Sequence, residues 1–179
     1  MKKKYVKDYV SDGKGAYKYR GKYYQSRLSE EERKKQGKIQ ILYGISCLIL
    51  LLLALCIPCN GNQTIYVVIP LEITFLCLWG YLTGSFSLLK MENRMEQKDY
   101  DKVYQGPMQS LTVAILLYIF SLGGQVIGIL MKSSKKSNGD IYFAMILGFV
   151  LVMSCVVWNR QRKLMHHVTE EKNKQEEKL

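Results

Sequence analysis

Residues 48–76 read LILLLLALCIPCNGNQTIYVVIPLEITFL, two apolar runs joined by a short polar stretch. Followed outward, the first run extends from Ile39 to Cys59 and the second from Ile65 to Leu89. Two further runs, Ser110 to Met131 and Ile141 to Trp158, have the same character. Each has about the 17–25 residues that cross roughly 30 Å of hydrocarbon at about 1.5 Å per residue. Glu72 is the one charged side chain among them. Bare backbone polar groups are so costly in lipid that a span is either a helix or a strand of a closed barrel, and these runs lack a barrel's alternation. The sequence therefore predicts an all-α fold, a four-helix transmembrane bundle with spans 39–59, 65–89, 110–131 and 141–158. Composition alone hides this, because 48% apolar and 23% charged residues average to a near-zero mean hydropathy. Segregation of charge, not its mean, marks the fold.

The charge also predicts orientation. Of the 26 lysines and arginines, 23 lie in residues 1–38, 90–107 and 159–179, and 3 lie in residues 132–140. Positive charge is retained in the cytoplasm, so both termini and the middle loop are expected inside, in a multi-pass protein of the plasma (cytoplasmic) membrane. Residues 1–38 form a basic, Tyr-rich cytoplasmic segment that would attract anionic membrane lipid, and 159–179 form a charged cytoplasmic tail. The first run is expected to stay in the mature chain, since it is long, preceded by 38 residues and followed by no clear cleavage site.

The amino-terminal segment interleaves Tyr5, Tyr9, Tyr17, Tyr19, Tyr23 and Tyr24 with lysines. SDGKG reads as a turn between strand-prone arms, so a small N-terminal cytoplasmic β-hairpin or amphipathic segment is expected, needing support from elsewhere. Tyrosine is a residue of membrane interfaces, and the pattern is read as a docking surface for lipid or protein; no nucleic-acid partner is expected. Ser29 and Glu32 form a capping box that starts a short helix, which Gly37 is expected to bend. In the middle loop, Leu88, Met91 and Met95 continue a helical face out of the second span, and Gly106 and Pro107 are expected to end that helix. The tail is expected to extend the fourth helix and then fray.

Glu72 is the residue least explained by packing, because a carboxylate deep in a span is costly and usually faces a bundle interior or cavity. Counted along the helix it sits roughly 10 Å below the outer surface, and Gln125 roughly 9 Å below the same surface. The two are expected to meet as an intramembrane polar cluster. Small residues recur at four-residue spacing, Gly80 and Gly84, Gly124 and Gly128, Ala144 and Gly148, as faces along which helices approach closely.

Cys56 and Cys59 are weighed as a redox pair. A reactive thiolate needs a helix N-terminus or a nearby cation, whereas these thiols end a helix and precede an uncharged loop. In helix count, internal termini and a Cys-x-x-Cys after the first span, the chain resembles the disulfide bond formation B family of quinone-linked thiol oxidases. That resemblance implies electron transfer between two cysteine pairs, the second in the second external loop. Here that loop, KSSKKSNGD, carries no cysteine. Cys47, Cys77 and Cys155 are read as packing residues, the adjacent His166 and His167 face different ways on a helix, and no metal or cofactor is expected. Phosphate-loop, zinc-protease and nucleophile-elbow motifs are absent.

The sequence thus predicts a non-enzymatic accessory, regulatory or immunity-type membrane subunit acting through helix packing and a docking surface, with a protein partner or a second copy of itself. The alternatives are a small transporter or channel subunit using Glu72, and a thiol oxidoreductase using Cys56 and Cys59.

Overall fold

The structure is a computed structural model and describes residues 5, 8–11, 17–60, 64–131 and 138–171, apart from the side chains of residues 11, 17, 18 and 171. The predicted turn at 12–16 and the tail beyond 171 lie outside the described residues. Four helices are long and apolar enough to cross a membrane: α1 (Glu30–Cys56), α2 (Ile65–Leu89), α3 (Gln97–Met131) and α4 (Asn138–His166). Each turns large apolar side chains outward, among them Leu52, Leu76, Leu116 and Val152. Such a belt is stable only against lipid or another apolar surface.

Five short strands gather at one end, the basal end. β1 (Tyr9–Ser11) and β2 (Tyr17–Tyr19) pair antiparallel as the arms of the expected hairpin, with Tyr9 opposite Tyr19. β3 (Tyr23–Ser26) is the centre of a second sheet, with β4 (Arg94–Glu96) on one edge and β5 (Val168–Glu171) on the other. Tyr24 lies opposite Met95 on one side and Glu170 on the other. Amino-terminal segment, middle loop and tail are thereby joined in one antiparallel sheet. The fold is mostly helical with this small sheet added, and local expectations at the basal end are corrected. The second helix stops at Leu89, and Met95 points from a strand into a small core with Leu88, Val103, Tyr104 and Leu164. Directly after α4 the tail pairs as a strand instead of fraying, because β3 offers Val168–Glu171 a free ladder edge.

α1 starts as the sequence predicts. Ser29 Oγ accepts from the Glu32 backbone N–H at 3.2 Å, and the Glu32 carboxylate accepts from the Ser29 N–H at 3.0 Å. The helix runs unbroken through Gly37 from Glu30 to Cys56, and Gly37 is buried where an added Cβ would meet Leu89 Cδ2 at 2.7 Å. Gly106 and Pro107 likewise lie within α3 rather than ending a helix. The preceding turn, Asp101–Gln105, widens to π geometry before the helix resumes at Gly106–Met131. Proline removes an N–H and crowds the carbonyl four residues back, so a wider turn accommodates it.

The most extensive helix pairing is α2 against α3. Gly84 lies under the Pro107 ring, and a Cβ on Gly80 would sit 3.0 Å from Ser110 Oγ. From the other side, a Cβ on Gly124 would meet the Tyr66 ring at 3.0 Å. These small-residue faces thus serve one interface within the chain. Gly128 is looser, its added Cβ 3.9 Å from the Tyr66 hydroxyl, and a Cβ on Gly148 would meet nothing within 4 Å, so Gly148 makes no comparably close approach.

Candidate functional site

Three buried polar layers cross the bundle. At the distal end, Asp140 in the first turn of α4 is buried, and its carboxylate accepts from the Asn60 N–H at 2.8 Å and from Asn60 Nδ2 at 2.9 Å. Gln125 Nε2 donates to the Asp140 carbonyl at 3.2 Å. A carboxylate in the first helical turn also complements the dipole of α4. Gln125 is therefore the polar anchor the sequence suggested, but Glu72 is not its partner. Glu72 lies on the exposed face of α2, beside Ile69, Ile73 and Leu76, and has no hydrogen-bond or ion-pair partner among the described residues. Depth along the helices was legible from counting; the facing of α2 was not. Asn60 and Asp140 went unread because both sit at span ends, where polar residues usually meet solvent.

The middle layer takes one residue from each helix. Tyr43 donates to Ser154 Oγ at 2.7 Å and meets the Tyr81 ring edge-on at 5.9 Å, and the Tyr118 hydroxyl is buried without a hydrogen-bond partner. Cys47 is fully buried in the same core, whereas Cys77 is half-buried and Cys155 is exposed, so the three do not converge. Cys56 is exposed, Cys59 is buried, and both are free thiols.

The basal layer is a chain of amides. Gln40 Nε2 donates to Gln161 Oε1, and Gln161 Nε2 donates to the carbonyls of Val103 and Tyr104 at 3.5 and 3.2 Å. Val103 and Tyr104 belong to the widened turn that precedes Pro107. One glutamine on α4 therefore reaches the backbone of that turn and ties α1, α3 and α4 together.

The tyrosines expected on a docking surface face the chain itself. Tyr5 donates to the Asp101 carboxylate at 2.7 Å, and Tyr9 donates to the Glu96 carboxylate. Tyr19 is buried, its hydroxyl accepting from the Gln97 N–H at 3.2 Å. Arg94 lies 4.2 Å over the Tyr23 ring, and Tyr24 stacks on Tyr100 at 4.2 Å. The side chain of Tyr17 lies outside the described residues. His166 and His167 are exposed, and the His167 carbonyl accepts from the Arg27 N–H.

Tyr9 yields a pH dependence. Its hydrogen bond to Glu96, aided by burial, pushes the phenol up from 10.0 to about 12. The fold holds this proton more tightly than the unfolded chain does, so the contribution is complete below pH 10 and is lost as pH rises through 12. Ultraviolet titration is expected to show a tyrosinate step near pH 12 that Tyr9→Phe lacks; titration of this ring at its ordinary value would contradict the Glu96 contact.

No group of three His, Cys, Asp or Glu side chains placed to hold a metal occurs among the described residues. The arrangement offers hydrogen bonds that lock the helices to one another. Comparison of the chain with protein-family models, curated proteins and solved structures finds no match.

Proposed function

We propose that the chain is a multi-pass accessory or regulatory subunit of the plasma membrane, immunity-type proteins included, with both termini in the cytoplasm, and that it acts by assembling with another membrane helix. The observation that carries this reading is the outward facing of Glu72. A carboxyl group on a lipid-directed helix face is costly, and a hydrogen-bond donor on a neighbouring helix, from a partner protein or a second copy, offsets that cost. A carrier using Glu72 draws less support, because the side chain is turned away from the bundle interior. A thiol oxidoreductase draws less as well, with Cys56 exposed and Cys59 buried. The basic basal module would then face cytoplasmic components of the same assembly.

A photo-crosslinking residue at Leu76, one turn from Glu72 on the same exposed face, tests the proposal in native membranes. It is expected to give a protein adduct that falls about three- to thirtyfold on adding Glu72→Leu, the range of one intramembrane hydrogen bond. Adducts to lipid alone, or a protein adduct indifferent to Glu72→Leu, would sink the proposal.

A further inference from the structure

Arg33 is a buried cation with no counter-ion in contact among the described residues. It projects from the first turns of α1 beneath the sheet and is 3% exposed. Its Nη1 donates to Asn93 Oδ1 at 2.6 Å, its Nε has no partner, and no carboxylate among the described residues pairs with it. Glu30, the nearest acid on the same helix face, is bound instead to Lys34 Nζ at 2.5 Å, and Glu32 is held by Ser29. The Tyr104 hydroxyl is also fully buried, makes no well-formed hydrogen bond among the described residues, and has the Ser26 hydroxyl and the charge of the same guanidinium in its neighbourhood. The guanidinium Nε and the phenol thus lie buried with no acceptor bonded to them among the described residues. Burying a charge in this way costs several kcal/mol unless an anion completes the site.

We infer that Arg33 and Tyr104, with Ser26 beside them, form a binding site for a phosphate group. A guanidinium supplies a planar fork of donors matched to a phosphate oxyanion, and a phenol adds a neutral donor of similar reach. Arg33 precedes the apolar run at Ile39 by roughly 9 Å of helix, just beyond the hydrocarbon and close to where headgroup phosphates lie. The phosphate can come from an anionic lipid headgroup or from free inorganic phosphate. The same donors serve either source.

The test uses the full chain in nanodiscs of phosphatidylcholine, with and without phosphatidylglycerol, and separately with inorganic phosphate. Wild type is compared with Arg33→Met, Tyr104→Phe and, as a control that removes an exposed neighbouring charge, Lys35→Met. If the source is lipid, phosphatidylglycerol raises the unfolding temperature of wild type, and native mass spectrometry finds it retained. Arg33→Met then loses on the order of tenfold or more in retained lipid, the scale of a charge-assisted hydrogen bond, Tyr104→Phe loses less, and Lys35→Met keeps it. If the source is free phosphate, inorganic phosphate alone produces that pattern. Equal responses of Arg33→Met and wild type to both probes would overturn the site, and so would an equal loss in Lys35→Met, which would assign the effect to diffuse surface charge. Because Tyr104→Phe keeps the ring's shape, it remains informative if Arg33→Met fails to fold.

Discussion

Replacing Asp140 with alanine is expected to open the distal end of the bundle and expose Cys59. The carboxylate holds the Asn60 N–H and side-chain amide, and the same residue's carbonyl receives Gln125, so one position joins the α1–α2 connection to α3 and α4. Truncation removes two hydrogen bonds from half-buried donors on Asn60 to a charged group, each worth about 1.5–3 kcal/mol. Local opening then becomes easier by about 2 kcal/mol or more, which is on the order of a thirtyfold rise in maleimide reaction at Cys59. The measurement belongs in a Cys56→Ser background, since Cys56 is already exposed. Asp140→Asn keeps one acceptor and should fall between. Labelling of Cys59 at the wild-type rate in Asp140→Ala would show that the contact does not close this end.

Gly84→Val should be the most damaging single change in the α2–α3 interface. Even the first added carbon meets the Pro107 ring and, at 2.9 Å, the Lys102 carbonyl. Neither neighbour is the free end of a flexible side chain: one is a fixed ring and the other is backbone of the widened turn. Overpacking of this kind costs about 1–3 kcal/mol, and the branched side chain places the expected loss at the upper end of that range. Gly148→Ala provides the contrast, since its Cβ meets nothing within 4 Å and alanine is the better helix former by about 1 kcal/mol. Unfolding in mixed micelles should therefore move in opposite directions for the two variants. A Gly84→Val protein as stable as wild type would mean that the two helices are not packed as described.

The four helices were legible in the sequence because their signal is local: a long uncharged run can satisfy its backbone in few other ways. The α2 boundaries, Ile65–Leu89, coincide with the apolar run. The other helices extend past their runs at the basal end, α1 beginning at Glu30 and α4 ending at His166, because basic residues continue a helix that composition reads as flanking. What was not legible is which way each face turns. Gly80, Gly84 and Gly124 could be read as close-approach positions, but not that all three serve α2 against α3. Glu72 could be read as costly, but not that it lies outside its own bundle. The three-stranded sheet escaped for a related reason. Arg94–Glu96 and Val168–Glu171 have weak strand propensity of their own, and only β3, far away in sequence, makes strands of them.

The sheet also orders biosynthesis. β3 is translated before any of the helices, and its outer neighbour Val168–Glu171 emerges only after α4. β3 must therefore wait, half paired, until synthesis delivers the last strand. When that strand docks, it clasps the two outermost helices together from below, so a nascent chain interrupted before Val168 would hold all four helices and still lack the latch between its ends.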